Sequence, residues 1–143
     1  MPMKKNPTEG DKALPEDRTG REDIYNRSEF SQLLDMVVVE ARPGFAKVVM
    51  EPAGKRNHRG FIHGGAIFSL ADQAFAAAAN AGEIKEVALS AQISYIRPAR
   101  EALTAIAERV GGDGQHSLYR VSVFEGDLLV ATLEGVGIRV RGE

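Results

Sequence analysis

The sequence predicts an α+β domain in which a curved antiparallel β-sheet wraps one long central helix. Three observations support this fold class: a strand hairpin comes first, a single long helical segment follows, and four segments typical of strands complete the chain. Because no second long helix is available to cover the sheet, we expect the sheet to curve around the one helix.

The segment before the long helix contains a short helix and a hairpin. Residues 28–34 place Phe30, Leu33 and Leu34 at helical spacing, which indicates a short amphipathic helix. Valines at 37–39 and a β-branched run at 46–51 flank a Pro-Gly turn, which is typical of two paired strands. Residues 52–62 are rich in Pro, Gly and basic side chains, so we expect a loop.

The long helix is predicted from residue 64 to about residue 80. This segment is rich in alanine and other helix formers, and Asn80 and Gly82 supply a helix stop. Apolar residues occur nearly all round the helix, so we expect protein to surround it.

Four strands are predicted after the helix. Residues 87–96 alternate between an apolar and a small or polar face until Pro98. Residues 103–110 form the next segment, which a glycine-rich turn closes, and residues 117–124 and 128–140 flank a Gly-Asp turn.

Composition limits the function classes. The 143 residues suit one domain, which we place at residues 28–143 behind a flexible polar tail at residues 1–27. A net charge of −2 gives no overall positive field for nucleic acid or anionic lipid, so we expect neither partner. The absence of cysteine excludes thiol chemistry and fits a reducing compartment, and without a secretory or spanning segment we expect a cytoplasmic protein.

Two glycines at the predicted helix start form a candidate anion site. Gly64 and Gly65 fall where N–H groups have no partner four residues back and where the helix dipole is positive. Without side chains, they would let a ligand approach the backbone closely, as an oxyanion hole requires. The alternative is that the glycine pair only permits tight packing against the sheet.

Three further residues strengthen the case for chemistry. Asp72 lies among apolar neighbours on the same helix. Burying a carboxylate there is energetically unfavourable unless it forms an ion pair or hydrogen bonds, or takes part in a reaction. It is a candidate general base or nucleophile, with capping of another segment as the structural alternative. His63 and Asn57 could each be structural on their own; together with Asp72 and the glycine pair they favour catalysis.

Helix geometry separates these candidates within one chain. Asp72 follows Gly64 by eight positions on one helix, so their backbones should be about 12 Å apart, beyond the reach of an aspartate side chain. Both can act on one carbon only if Asp72 comes from a second chain, with two helices antiparallel across a twofold axis. We therefore expect a homodimer with shared sites.

The motif resembles that of a known enzyme family. Asn57, Gly60, the triplet at 63–65 and the triplet at 70–72 resemble hotdog-fold acyl-CoA thioesterases of the phenylacetate-degradation type. The segment at 94–98 also resembles the family's next strand. The family commonly has a glycine shortly after its Arg-Pro pair, where this chain has Arg100-Glu101.

The resemblance implies a fold, an activity and residue roles. It implies a hotdog fold, dimers that pair into homotetramers, and hydrolysis of an acyl-CoA to a carboxylic acid and CoA without a cofactor. Asp72 would be the base or nucleophile, Gly64 with help from Gly65 would hold the oxyanion, and His63 would position the thioester. Asn57 would orient water or the carboxylate. A non-catalytic acyl-CoA-binding module is the alternative function.

Basic residues are candidates for binding the CoA phosphates, since guanidinium matches phosphate oxygens. They are Arg59, Arg97 and Arg100, with Lys55 and Arg56 in the same loop as Arg59. The acyl pocket has candidate borders in the alanines at 76–79 and in Phe68, Phe75 and Tyr95. Three histidines without a His-Glu-x-x-His spacing predict no metal site.

Overall fold

The computed structural model describes residues 24–141, so the first 23 residues of the predicted tail lie outside the described residues. The elements are α1 (Glu29–Leu33), β1 (Met36–Arg42), β2 (Phe45–Met50), α2 (Gly64–Asn80), β3 (Glu86–Tyr95), β4 (Leu103–Gly112), β5 (His116–Glu125) and β6 (Leu128–Arg139). Each predicted helix and strand is confirmed. β4 extends two residues into the predicted glycine-rich turn, through an irregularity between Arg109 and Gly111.

The six strands form one antiparallel sheet in the order β1-β2-β4-β5-β6-β3. The two edges are therefore β1 and β3, and each pairs with one neighbour only. Because β3 follows α2 directly but pairs with the last strand, the chain crosses the sheet along the helix. This crossing places α2 over the concave face.

One face of α2 forms the core with the sheet. Its buried side chains are Ala66, Ile67, Leu70, Ala71, Ala74, Phe75, Ala77 and Ala78. Small alanines let the helix lie close to the strands, and Gly135 of β6 contributes most directly: a Cβ there would collide with the Phe75 ring. The alanine-rich composition therefore reflects close helix–sheet packing.

The other face of α2 is not covered by its own chain. Phe68, Asp72, Gln73 and Ala76 remain partly exposed. The expectation that protein surrounds this helix is thus wrong for a single chain, because one curved sheet can cover only one side of a helix. The uncovered face carries Asp72.

The edge strand β3 is also unusually exposed. Val87 and Leu89 retain 53% and 58% of their accessible surface, and Tyr95 and Ile96 are similarly exposed. A ten-residue apolar edge strand has unpaired backbone groups that favour pairing with another strand. The uncovered helix face and the uncovered edge are next to each other in the fold.

α1 forms as predicted, but of the three apolar side chains that indicated it, only Leu34, just after its last residue, packs against the core. Phe30 and Leu33 are exposed, whereas Ser31 is fully buried and its Oγ donates to the Met36 carbonyl. Asn26, which belongs to the predicted tail, bonds both backbone groups of Val38 at 2.7 and 3.2 Å. Contacts with the domain thus begin at least two residues before the predicted boundary. No helix within residues 24–141 has the length and apolarity needed to cross a membrane.

Candidate active site

The start of α2 opens into a cavity of about 370 Å³. Helix geometry leaves the first backbone N–H groups without intrahelical acceptors, and Gly64 is the first residue of the helix. Ala66 and Ile67 donate to the His63 carbonyl, but the Gly64 N–H has no acceptor among the described residues. The cavity lining includes Asn57, Arg59, Gly64, Tyr95 and Arg97. A free donor at a positive helix end therefore faces a cavity that four predicted site residues share.

His63 caps this helix. Its Nδ1 accepts the Gly65 N–H at 2.8 Å, so the proton of the neutral ring lies on Nε2. The expected second free amide at Gly65 is therefore not free, because the histidine ring satisfies it. Gly65 and His63 line a separate cavity of about 300 Å³. His63 remains exposed, with Nε2–H available to a ligand.

Asn57 organises the loop that leads into the helix. Its Oδ1 accepts from the backbone N–H groups of Arg59 and Phe61 at 2.9 and 3.1 Å. Gly60, with a φ of +86°, makes the turn between them and donates to the Asn57 carbonyl. The structural role that the sequence left open is thus present. The amide Nδ2 donates to no described residue, although Asn57 lines the Gly64 cavity.

Tyr95 is a site residue that the sequence pattern placed only at the border of the acyl pocket. Its hydroxyl donates to the Gly64 carbonyl at 3.0 Å, and its ring lies over the Gly64 Cα. β3 alternates in side-chain direction, and its last residue points toward the helix start. The alternation could reveal this direction, but no motif indicated the contact with Gly64.

The predicted CoA-binding arginines are divided between this cavity and its surroundings. Arg59 and Arg97 line the cavity, and the Arg97 Nε donates to the Leu129 carbonyl at 3.2 Å. Arg100 lies outside the lining, with its guanidinium 4.4 Å from the centre of the Phe61 ring.

The backbone of the segment at Arg100 and Glu101 is held by Glu125. The backbone N–H groups of Arg100 and Glu101 both donate to the Glu125 carboxylate, at 2.8 and 2.7 Å. These two hydrogen bonds hold the pKa of Glu125 below its usual value. A carboxylate at the end of β5 therefore holds the segment at Arg100 and Glu101 through its backbone.

Asp72 lies elsewhere, on the uncovered face of α2. It lines a cavity of about 260 Å³ together with Phe75, Ala76, Ala79 and residues at the start of β3. Burial raises the pKa of its carboxyl above the ordinary value. No described residue forms a salt bridge or hydrogen bond with it. Such a carboxylate is poorly solvated and unpaired, as expected of a base or nucleophile.

Within one chain, Asp72 and Gly64 do not meet. Their cavities share no lining residue, and α2 is continuous from Gly64 through Asp72 to Asn80. The predicted separation of about 12 Å thus follows from an unbroken helix. The chain carries both halves of the predicted chemistry at different places. Among the described residues, no cluster of three or more His, Asp or Glu side chains could hold a metal ion.

Comparison with known proteins gives the family. The model of the thioesterase superfamily matches residues 59–132, which includes the helix start and Asp72. The chain is 31% identical to the acyl-coenzyme A thioesterase PaaI of Escherichia coli K12, over 83% of this chain and 88% of that protein.

Solved structures agree with this match. The structure of E. coli PaaI, from the phenylacetic acid degradation operon, has a TM-score of 0.78 and covers 84% of this chain and 90% of that one. A variant of the phenylacetic acid degradation protein PaaI from Thermus thermophilus is 34% identical. Its TM-score is 0.75, with 79% of this chain and all of that chain covered. The hotdog fold and the resemblance to PaaI-type thioesterases are confirmed.

Proposed function

The chain belongs to the thioesterase superfamily, and from this premise we propose that it hydrolyses an acyl-CoA to a free carboxylic acid and CoA. One observation carries the proposal: a free N–H at the start of α2 and an unpaired carboxylate on the same helix, each beside its own cavity. The relative named acyl-coenzyme A thioesterase supports the choice of substrate class. No metal or other cofactor enters the proposal.

In the proposed reaction, the thioester carbonyl oxygen accepts a hydrogen bond from the Gly64 N–H. Asp72 removes a proton from water, and the resulting hydroxide attacks the carbonyl carbon. The helix end stabilises the tetrahedral oxyanion, the C–S bond breaks, and CoA leaves as a thiolate that then takes up the proton. The Nε2–H of His63 positions the thioester, and the Nδ2–H group of Asn57 orients the water or the carboxylate.

Direct attack by Asp72 on the thioester is the second route, and isotope transfer into Asp72 would identify it. In a single turnover in ¹⁸O-water, the base route puts the label in the product acid. The covalent route leaves an anhydride, and its hydrolysis at the aspartyl carbon puts the label in Asp72 instead. Mass spectrometry of the peptide that contains Asp72 detects this label.

The proposal includes a homodimer, because the two halves of the site are separated within each chain. The exposed β3 edge and the uncovered face of α2 support an interface that joins two copies edge to edge, with their helices antiparallel. In that arrangement, Asp72 of each copy would approach Gly64 of the other.

We further propose pairing of dimers into tetramers, a cytoplasmic location, and contacts of Arg59 and Arg97 with the CoA phosphates. Arg100 and Gly65 would act from outside these contacts, by shaping the loop and the helix cap.

The direct test is hydrolysis of a panel of acyl-CoAs, followed with a thiol reagent. We expect D72N to lose at least 100-fold in kcat/KM, in line with the roughly 10²- to 10⁴-fold effect of a positioned base. D127N, which changes an exposed aspartate in the β5–β6 turn, is the matched control and should retain full activity. Equal turnover by D72N and the native chain contradicts the assignment. Retention of intact acyl-CoA without release of CoA favours the non-catalytic binding module.

A further inference from the structure

Two cavities lie on opposite sides of Glu86, the first residue of β3. The smaller, of about 260 Å³, contains Asp72 and runs along α2 to Ala79. The larger, of about 520 Å³, lies beyond it, between the β1–β2 turn, the end of α2 and β5. Ala79 and Glu86 line both cavities, and Glu86 is the larger of these two side chains. It therefore stands between the Asp72 cavity and a space twice its volume.

The Glu86 carboxylate is fixed on both sides. Its Oε2 accepts from the Ser117 hydroxyl at 2.7 Å, and the Ser117 Oγ in turn accepts from the Arg109 Nε at 3.2 Å. Its Oε1 is buried, forms no hydrogen bond within residues 24–141, and packs where a Cβ on Gly137 would collide with it. An anchored oxygen on one side and a glycine on the other determine the position of this side chain.

A pair of aromatic rings also separates the two cavities. Phe75 lines the smaller cavity and Tyr119 the larger, with ring centres 5.2 Å apart. Both rings are buried in the core, so they cannot move without disturbing the packing of α2 on the sheet. Glu86, unlike these two rings, lies outside the core, because its side chain is only partly buried.

We infer that Glu86, positioned by Ser117, is the end wall of the acyl pocket and limits the length of the acyl group that binds. The inference rests on the proposed function, since the acyl group must extend from a thioester held at Asp72. From Asp72 the cavity follows α2 for seven residues, about 10 Å, before it reaches Ala79 and the carboxylate. An apolar chain that extended further would have to displace a hydrogen-bonded carboxylate, which is unfavourable.

Alkyl-CoA thioethers, which cannot be hydrolysed, test the wall through binding alone. Titration calorimetry with ethyl, butyl, hexyl, octyl, decyl and dodecyl thioethers gives the chain length at which affinity stops increasing. For E86A we expect the increase to continue past the native limit, by about fourfold for each added methylene, because the larger cavity becomes accessible. E86Q keeps the volume and the hydrogen bond from Ser117, and should show the native limit.

The variant S117A tests the positioning role. It removes the anchor and leaves Glu86 in place, so the limit should shift in the same direction as in E86A but less. A purely structural effect of Ser117 would lower affinity equally for all chain lengths. S117A also decides the question if E86A does not fold.

The outcomes separate this inference from the proposed function. An identical length limit in E86A and the native protein overturns the inference, as does an equal loss of affinity at all lengths or no binding of any thioether. The proposed function survives these results if the native protein still releases CoA. Conversely, a limit that moves in E86A supports the end wall even where no acyl-CoA is hydrolysed.

Discussion

At the scale of single residues, Asp72 combines partial burial with the absence of any ion-pair or hydrogen-bond partner in the described part of the chain. Burial without compensation disfavours the charged form, which explains the direction of its pKa shift. Asp113 shows the opposite case: backbone hydrogen bonds from His116 and Gln115 lower the pKa of this exposed carboxyl. The difference lies in the surroundings, and it supports Asp72 as the reactive carboxylate.

The raised pKa predicts how activity depends on pH. The ionised carboxylate is the reactive form, so kcat/KM should rise with pH through a midpoint above the ordinary aspartate value of about 3.9. The measurement is a pH profile of kcat/KM with a short acyl-CoA. A midpoint at or below the ordinary value would argue against Asp72 as the titrating group.

The same shift predicts an effect on stability. An acid with a raised pKa binds more protons when folded than when unfolded, so the free energy of unfolding falls as pH rises through this range. D72N lacks this loss and should be more stable than the native protein at neutral pH. The stability gain of D72N should disappear below about pH 4, where the Asp72 carboxyl of the native protein is protonated in both the folded and the unfolded state. Thermal unfolding of the two proteins at both pH values measures it, and D127N should show no such difference.

At the scale of elements, the start of α2 depends on His63 and Gly65. The His63 ring accepts the Gly65 N–H, and the missing Cβ of Gly65 leaves room for that ring. A Cβ on Gly65 would lie 3.1 Å from the His63 Nδ1, closer than most such contacts. The ring would have to move and the hydrogen bond to the Gly65 N–H would be lost.

We therefore predict that G65A reduces both stability and activity. The loss of an N-cap interaction costs about 1 kcal/mol, and displacement of His63 should lower kcat/KM as well. At Gly64 an added Cβ would only reach ordinary contact distance from the Tyr95 ring, so G64A is the matched control for stability. Chemical denaturation of the two variants compares them; equal stability would contradict the capping role.

The order of the elements and the position of the helix start were predictable from the sequence because they depend on local pattern. The period of α2, the alternation of β3 and the glycines at 64 and 65 determine the order of elements and the helix start. The partners of individual side chains were not predictable, since they come from distant segments. Tyr95 reaches Gly64 across 31 residues, and Ser117 reaches Glu86 across the same separation. The exposed side of α2 was missed because alanine suits both a buried and an interfacial helix face.

At the scale of the whole molecule, the separation of Gly64 from Asp72 makes the proposed active unit larger than the chain. Mixing D72A and H63A chains tests this, because a mixed dimer has one site with both residues and one with neither. Each homodimer should be weakly active, and full subunit exchange should restore about a quarter of native activity, since half the dimers are mixed and half their sites intact. Size-exclusion chromatography and native mass spectrometry verify the exchange; no recovery after it would refute a shared site.

The unbroken helix also determines how an inserted residue would affect the two sites. In the proposed dimer, α2 is a spacer of constant length between halves of two different reaction centres. One extra residue inserted between Ala66 and Leu70 would turn every later side chain by about 100° around the axis. Both centres would lose their acid at once, although neither the hydrogen-bond donors nor the carboxylate had been replaced.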